Sequence, residues 1–376
     1  MKNNGTITLI FCLLLLVFIP VSFLSSNKAY AFSTSARACA VLEANSGRIL
    51  FSQNAEKRLP MASTTKIMTA ITAIENCADL DKKFEVSKKA IGVSGTSLYL
   101  KDGDVYSTRD LLYALMLISG NDASVAIAEH VAGSTSEFVT KMNELARKIG
   151  VKNTHFANTH GLDADGHYTS AHDLAQIAAY ALKNPIFREI VSTKNTKIVN
   201  GKDENRYLRN KNKLLFTLEN CIGVKTGYTD DAGRCLVSAI DKDGMILVCV
   251  VLNCGPMFEE SAAILKECED SYKIYDLTRL YDYQTKIFVD NGAKSSAEIG
   301  TKEHFLYPLT ENEVKKLKFV YRYPQKVEAP MKKGDVVGRV ETFLGNNLLF
   351  SEKIYTIDDV KPRSLLQRMK DFFREW

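Results

Sequence analysis

Strand-forming segments on both sides of a helix-rich block are the feature of this 376-residue sequence that most limits its fold. The segments CAVLEA and RILFSQN flank the turn residues NSG over residues 39–54, which predicts a β-hairpin. Three more strands are predicted over residues 221–228, 235–240 and 245–252. Because strands lie at both ends, we expect an α+β fold in which one antiparallel five-stranded sheet is flanked by helices.

Capping signals divide the block between these strands into helices. Ser107 and Asp110 have the spacing of a capping box ahead of the apolar run LLYALMLIS. Ser134 and Glu137 have the same spacing ahead of a second helix with an apolar stripe. The sequence Ser-Gly-Asn at residues 119–121 interrupts the helical pattern, so we expect a bend there.

The sequence changes character near residue 280. Short alternating segments such as KIFVD, FVYRY and LLFSEKIYTI are separated by turn residues, which predicts a second, small all-β domain. We therefore expect a main domain at residues 32–278, a small β-rich domain at 279–361 and a terminal segment at 362–376.

The terminal segment PRSLLQRMKDFFREW has the pattern of an amphipathic helix. Six apolar residues share one helical face, while the basic residues lie elsewhere: Leu365, Leu366, Met369, Phe372, Phe373 and Trp376. Because the segment is terminal, aromatic and basic, we expect it to lie on a membrane surface. The alternative is a helix that packs back onto the β-rich domain.

The first residues have the form of an export signal. An apolar run over residues 6–24 is followed by Ala29-Tyr30-Ala31, a small-x-small site at which a signal peptidase cuts. We therefore expect a signal peptide at residues 1–31, with cleavage after Ala31. The alternative is an uncleaved anchor, because the run is about as long as the ~17–25 residues of a membrane span. In both cases the protein is expected to be extracytoplasmic, on the outer face of the cytoplasmic membrane.

Charge and cysteine content limit the function classes. The formal charge is +5 and falls to +3 without residues 1–31, which carry Lys2 and Lys28, so a nucleic-acid partner is not expected. Seven cysteines remain after the signal peptide, and an odd number cannot all pair within one chain. We interpret most of them as small buried residues, while one or more disulfides stay open as an alternative.

A serine and a lysine lie one helical turn apart in MASTTKIMTA. Ser63 and Lys66 are expected on one face of a helix, where the lysine can take the proton of the serine hydroxyl if its pKa is lowered. Burial of an unpaired ammonium costs free energy, so a role as a base would explain why a lysine lies in this otherwise uncharged run. Alone, however, a four-residue motif recurs by chance.

Two further motifs offer groups that complement this pair. In the bend, Ser119 can relay a proton and the amide of Asn121 can both donate to and accept from a peptide bond. In the predicted strand GVKTGYT, Lys225 and Thr226 can hold a carboxylate, while Gly227 allows a ligand to approach the backbone closely. The alternative for Ser119 and Asn121 is an ordinary loop that ends a helix. The alternative for Lys225 is an exposed lysine on an edge strand.

In this order, the three motifs resemble the signature of penicillin-binding proteins and serine β-lactamases. The whole chain is similar to the low-molecular-weight, serine-type D-alanyl-D-alanine carboxypeptidases. The similarity covers the signal peptide, the terminal helix and these segments: MASTTKIMTA, ISGNDAS, FANTHGLDADGHYTSAHDLA, GVKTGYTDDAGRCLV and KKGDVVGRVE.

The resemblance implies a serine D,D-carboxypeptidase that removes the terminal D-alanine from peptidoglycan stem peptides. Ser63 would be the nucleophile, Lys66 the base and Ser119 the proton relay, all catalytic. Asn121, Lys225, Thr226 and Gly227 would bind substrate, and the backbone N–H groups of Ser63 and Tyr228 would form the oxyanion hole. The resemblance also implies acylation by β-lactams and no metal or organic cofactor.

Three other functions compete with this one. A class A β-lactamase uses an additional glutamate, but residues 153–172 hold Asp163 and Asp165 and no glutamate, and Asp173 is interpreted as a structural loop residue. A zinc peptidase could use the four histidines of the same region, although no His-Glu-x-x-His helix is present: His155, His160, His167 and His172. A non-catalytic cell-wall-binding scaffold would have no need for the nucleophile and base.

Overall fold

One five-stranded antiparallel sheet forms the centre of the larger domain, in the order β2-β1-β9-β8-β7. Its strands come from both ends of the domain: β1 (Ala38–Glu43), β2 (Ile49–Gln53), β7 (Cys221–Thr229), β8 (Gly233–Lys242) and β9 (Met245–Leu252). β1 pairs with β9 from Ala38 opposite Leu252 to Glu43 opposite Leu247. The predicted sheet is therefore confirmed, with strand ends within two residues of the expected ones.

The computed structural model describes residues 33–202, 204–280, 285–366 and 369. The predicted signal peptide and most of the predicted terminal helix lie outside these residues. Within the described part of the chain, no helix combines the length and apolar character needed to cross a bilayer.

Helices cover both faces of the sheet. Helix α5 (Ala171–Leu182) packs on β1 and β9, and helix α8 (Met257–Ser271) packs on β8 and β9. Alternate residues of β1, among them Ala38, Ala40 and Leu42, point into the large core shared with the helices. The helices of this domain are α1 (Lys66–Asn76), α2 (Thr108–Tyr113), α3 (Asn121–Ala132), α4 (Thr135–Ile149), α5 (Ala171–Leu182), α6 (Pro185–Ser192), α7 (Leu214–Thr217), α8 (Met257–Ser271) and α9 (Leu277–Leu280).

Short hairpins and single turns complete the domain. They are β3 (Lys83–Glu85) with β4 (Val105–Ser107), β5 (Asn195–Val199) with β6 (Asn205–Arg209), and the 3-10 turns Ala62–Thr65 and Lys88–Ala90. All seven cysteines of the described chain are free thiols, and five of them are buried: Cys39, Cys235, Cys249, Cys254 and Cys268.

Two local details differ from the expected helices. Ser63 lies in the 3-10 turn Ala62–Thr65 rather than in an α-helix, which begins only at Lys66. The capping box of Ser107 is confirmed at the start of α2, but the following turn, Ala114–Ile118, widens into a π-helix. A single π-helical turn changes the direction in which the following residues point, and this one is followed directly by the bend at residues 119–121.

The C-terminal part folds around a second, smaller core. Its six-stranded sheet has the order β14-β16-β17-β12-β11-β15, and a separate pair joins β10 to β13. The strands are β10 (Lys273–Asp276), β11 (Thr285–Asp290), β12 (Ser296–Gly300), β13 (Leu306–Leu309), β14 (Leu317–Arg322), β15 (Lys326–Glu328), β16 (Val336–Leu344) and β17 (Asn347–Thr356). One helical turn, α10 (Glu311–Val314), follows β13.

Arg48 at the edge of the main sheet links the two cores. Its guanidinium lies 5.3 Å from the ring centre of Tyr272 and 5.2 Å from that of Tyr307. It also donates hydrogen bonds to the Pro308 carbonyl and the Glu313 carboxylate. A planar cation between two aromatic rings and a carboxylate is a rigid contact, so β2 is held against α10 and β13.

Candidate active site

Ser63 and Lys66 meet although they belong to different local structures. The 3-10 turn exposes part of Ser63, whereas Lys66 at the start of α1 is fully buried. The Lys66 Nζ lies 2.9 Å from the Ser63 Oγ. This distance allows direct proton transfer between the amine and the hydroxyl.

Lys66 is buried, and in the described part of the chain its amine has no ion pair with a carboxylate. Its Nζ also contacts the Asn121 Oδ1 at 2.7 Å and the His160 carbonyl oxygen at 2.5 Å. Burial, followed by the positive charges of Lys225 and Lys211, holds the pKa of Lys66 well below its usual range, while Asp122 opposes this shift. A neutral amine in this position is equipped to act as a base.

The bend between the π-helix and α3 brings the second motif to Lys66. Ser119 ends the π-helix with a φ of +69° and is 5% exposed. Asn121, the first residue of α3, accepts from Lys66 and donates through Nδ2 to the Ser94 carbonyl at 2.6 Å. These contacts fix the orientation of the amide.

Asp122 holds the loop that covers the bend. Its buried carboxylate accepts hydrogen bonds from the backbone N–H of Leu98 at 2.9 Å and of Leu100 at 3.1 Å, and from the Ser97 hydroxyl at 2.5 Å. Three donors satisfy a buried carboxylate and tie the 94–100 loop to the start of α3. The sequence analysis did not identify Asp122 as part of the site.

Strand β7 lies directly beside the nucleophile. A Cβ atom built on Gly227 would be 3.0 Å from the Ser63 nitrogen and 3.1 Å from the Ala62 Cβ. Only glycine therefore lets the strand approach the turn so closely without displacement. Tyr228 follows with its side chain 63% exposed, and its hydroxyl contacts Asp230 at 3.0 Å.

Lys225 supplies a second buried amine. Its side chain is 1% exposed, and its Nζ contacts the Thr226 carbonyl at 3.0 Å. Burial, followed by the charge of Lys211, lowers the pKa of Lys225 to about 7. Because Lys225 also lowers the pKa of Lys66, the two amines share one electrostatic environment.

Residues 157–169 form the opposite wall of the site. Gly161, with a φ of +89°, is so close to the turn that a Cβ atom there would be 2.0 Å from the Ala62 carbonyl oxygen. The adjacent His160 turns its carbonyl toward Lys66. Neither residue was predicted as a site residue, although the segment had been recognised as part of the family resemblance.

The four histidines of this region have separate partners within the protein. The nearest contacts of their rings are the Gly166 carbonyl for His155, the Leu162 N–H for His160, the Thr65 hydroxyl for His167 and the Glu56 carboxylate for His172. Among the described residues, the one grouping with metal-ligand spacing is Glu56, His172 and Asp173, which includes a single histidine. The ligand set of the zinc alternative is therefore not assembled.

The structure thus brings most of the predicted site residues together around Ser63. Lys66 is hydrogen-bonded to Ser63, and Asn121 is hydrogen-bonded to Lys66. Gly227 packs against the Ser63 nitrogen, and the charge of Lys225 acts on Lys66. Thr226 lies between Lys225 and Gly227, and Ser119 precedes Asn121 by two residues. Lys211 was missed, because nothing in the local sequence distinguishes this exposed lysine from others.

Comparisons with known proteins identify the family of this chain. The D-alanyl-D-alanine carboxypeptidase family, Peptidase_S11, matches residues 25–255, and the penicillin-binding protein 5 C-terminal domain matches residues 275–362. D-alanyl-D-alanine carboxypeptidase DacF of Bacillus subtilis is 30% identical, over 98% of this chain and 97% of its own. DacC of Escherichia coli is also 30% identical, over 96% of this chain and 94% of its own.

Solved structures give the same result. Penicillin-binding protein 5 from Haemophilus influenzae superposes with a TM-score of 0.73 at 27% identity, over 88% of this chain and 98% of that one. The fold is thus that of a serine-type penicillin-binding peptidase. The chain belongs to the Peptidase_S11 family of D-alanyl-D-alanine carboxypeptidases. The predicted resemblance is confirmed, and the serine carboxypeptidase function is favoured over the β-lactamase and scaffold alternatives.

Proposed function

We propose that this protein removes the terminal D-alanine from peptidoglycan stem peptides through an acyl-enzyme on Ser63. The observation that carries the proposal is the 2.9 Å contact between the Ser63 hydroxyl and a buried Lys66 whose pKa is lowered. Serine is a weak nucleophile until a base takes its proton, and a neutral lysine at this distance is such a base.

Each of these groups has one role in the proposed acylation. Lys66 takes the Ser63 proton as the Oγ attacks the carbonyl carbon of the D-Ala-D-Ala bond. The C–N bond then breaks, and the proton passes through Ser119 to the amine of the leaving D-alanine. Asn121, held by Lys66 and by the Ser94 carbonyl, positions the acyl chain. A water molecule hydrolyses the resulting ester, and Lys66 again serves as the base.

Strand β7 binds the substrate's C-terminus. Lys225 in its charged form and the Thr226 hydroxyl hold the terminal carboxylate. The backbone N–H groups of Ser63 and Tyr228 receive the developing oxyanion, and the close packing of Gly227 on the Ser63 nitrogen supports this pairing. One such donor contributes about 3–4 kcal/mol to lowering the barrier.

β-Lactams acylate the same serine in this proposal. Their strained amide carbonyl takes the place of the scissile peptide carbonyl, and their carboxylate takes the place of the substrate's. The family assignment and the fold support this reading.

Release of D-alanine from a tripeptide ending in D-Ala-D-Ala tests the proposal. The wild-type protein should release D-alanine, and Ser63→Ala should not, while both remain folded. Ser52→Ala makes the same substitution at an exposed serine of the edge strand β2 and serves as the comparison. A wild-type protein that binds the peptide without releasing D-alanine would support the scaffold function instead.

We also propose that the protein is exported and lies on the outer face of the cytoplasmic membrane. The apolar run with its Ala29-Tyr30-Ala31 site supports export. At the other end, Leu365, Leu366 and Met369 are 81%, 68% and 54% exposed, as expected of a face that contacts lipid.

Cleavage of the signal peptide and membrane binding by the C-terminal segment can be tested separately. N-terminal sequencing of the protein from expressing cells should begin at Phe32, whereas an intact Met1 contradicts cleavage. The chain from residue 32 should sediment with vesicles of phosphatidylglycerol and phosphatidylethanolamine, and the same chain ending at residue 362 should not. If both stay in the supernatant, the membrane anchor is excluded.

A further inference from the structure

The residue before the nucleophile has an unfavourable backbone conformation. Ala62 has a φ of +48°, in the left-handed region that non-glycine residues rarely adopt. The nitrogen and Oγ of Ser63 take their directions from this residue. A side-chain contact that fixes Ala62 therefore also fixes the nucleophile.

Thr65 provides that contact. Its Oγ1 lies 2.8 Å from the Ala62 carbonyl oxygen, and a carbonyl can only accept, so the hydroxyl donates its single proton there. The same Oγ1 lies 2.8 Å from the His167 Nε2. Since the hydroxyl proton is already committed, the histidine must be the donor in this second hydrogen bond.

The other ring nitrogen agrees with this assignment. The His167 Nδ1 lies 3.0 Å from the Ala157 nitrogen, whose N–H donates, so Nδ1 is the acceptor. His167 is 6% exposed, and mainly because of this burial its pKa is lowered to about 4. The neutral ring with its proton on Nε2 is thus the form that satisfies every contact.

We propose that His167 is a positioning residue for the reaction: through Thr65 it holds the Ala62 carbonyl, and so sets the directions of the Ser63 N–H and Oγ. The inference rests on the proposed acyl transfer at Ser63. His167 contacts Thr65 rather than the serine, so it acts on geometry and not as an acid or base. Gly161 packs against the same contact, because a Cβ there would lie 2.0 Å from the Ala62 carbonyl oxygen and 2.8 Å from the Thr65 Oγ1.

The acylation rate constant, measured separately from reversible binding, tests the proposal. A fluorescent penicillin is mixed with excess protein in single-turnover experiments. His167→Phe keeps a ring of similar size without the donor. We expect it to slow acylation about 10- to 100-fold, equivalent to about 1.4–2.7 kcal/mol, with little change in the binding constant.

Thr65 variants separate positioning from general stability. Thr65→Val removes the hydroxyl at nearly constant shape and should match His167→Phe, whereas Thr65→Ser should retain most of the wild-type rate. The double variant should be no more than about threefold slower than either single variant, because both break one chain of hydrogen bonds. His172→Phe, at a histidine that contacts Glu56 instead, should stay within twofold of wild type.

Circular dichroism and melting temperature establish folding for each variant. If His167→Phe does not fold, the comparison of Thr65→Val with Thr65→Ser decides the matter. The inference would be overturned by equal acylation rates for Thr65→Val and Thr65→Ser, or by a wild-type rate in folded His167→Phe. It would also be overturned if the double variant were slowed by the product of the two single effects. A wild-type protein that is not acylated at Ser63 would instead contradict the proposed function.

Discussion

The Lys66 Nζ lies 2.9 Å from the Ser63 Oγ and 2.7 Å from the Asn121 Oδ1, with Lys66 fully buried. The groups that the amine contacts are the Ser63 hydroxyl, the Asn121 amide oxygen and the His160 carbonyl, and all three are neutral rather than acidic. An amine in such surroundings loses its proton readily, which connects the fold to base catalysis.

Acylation should have a bell-shaped pH dependence. The rate should rise with pH as Lys66 loses its proton, because only the neutral amine can act as a base. It should fall again as pH rises through about 7, since Lys225 then loses the charge that binds the carboxylate. Second-order acylation rate constants with penicillin between pH 4 and pH 9 report these free-protein pKa values. A flat profile over this range contradicts the assignment of roles.

Removal of the second buried amine should change both limbs of that profile. Lys225→Met removes a positive charge that lowers the pKa of Lys66, so the rising limb should move to higher pH. The falling limb should disappear, and a lost hydrogen bond to a charged group should cost about 1.5–3 kcal/mol of transition-state stabilisation. Lys213→Met, at an exposed lysine, is the control, and equal profiles for both variants would exclude the role of Lys225.

Gly161 should be far less tolerant of a side chain than a neighbouring glycine. Gly161→Ala combines the left-handed backbone with a Cβ placed 2.0 Å from the Ala62 carbonyl oxygen, so it should lower the free energy of unfolding by about 2–4 kcal/mol and slow acylation. Gly166→Ala has a φ of +74° but only ordinary contacts, and should cost about 1–2 kcal/mol without slowing acylation. Chemical denaturation and acylation rates of both variants make the comparison. Equal effects of the two changes on acylation would show that contact with the Ala62 turn is unimportant.

The sequence predicted the main sheet and the three motifs because these depend on local patterns. Strand β9 was predicted with its observed ends, since the run Met245–Leu252 follows a clear turn. The capping box at Ser107 was equally visible.

The parts of the site that the sequence did not predict depend on packing between segments that are distant in sequence. Thr65 and His167 are 102 residues apart, and neither residue type at its position signals a hydrogen bond to the other. Gly161 could have been suspected only from its position after a histidine in a recognised segment. The 3-10 turn at Ser63 was likewise hidden, because a Ser-x-x-Lys spacing fits one turn of either helix type.

Attachment of penicillin to the protein tests the central claim most directly. The protein is incubated with labelled penicillin, digested, and the modified peptide is identified by mass spectrometry. We predict one adduct, on Ser63, that is absent from folded Ser63→Ala. An adduct on another residue, or none in a folded wild-type sample, would contradict the account.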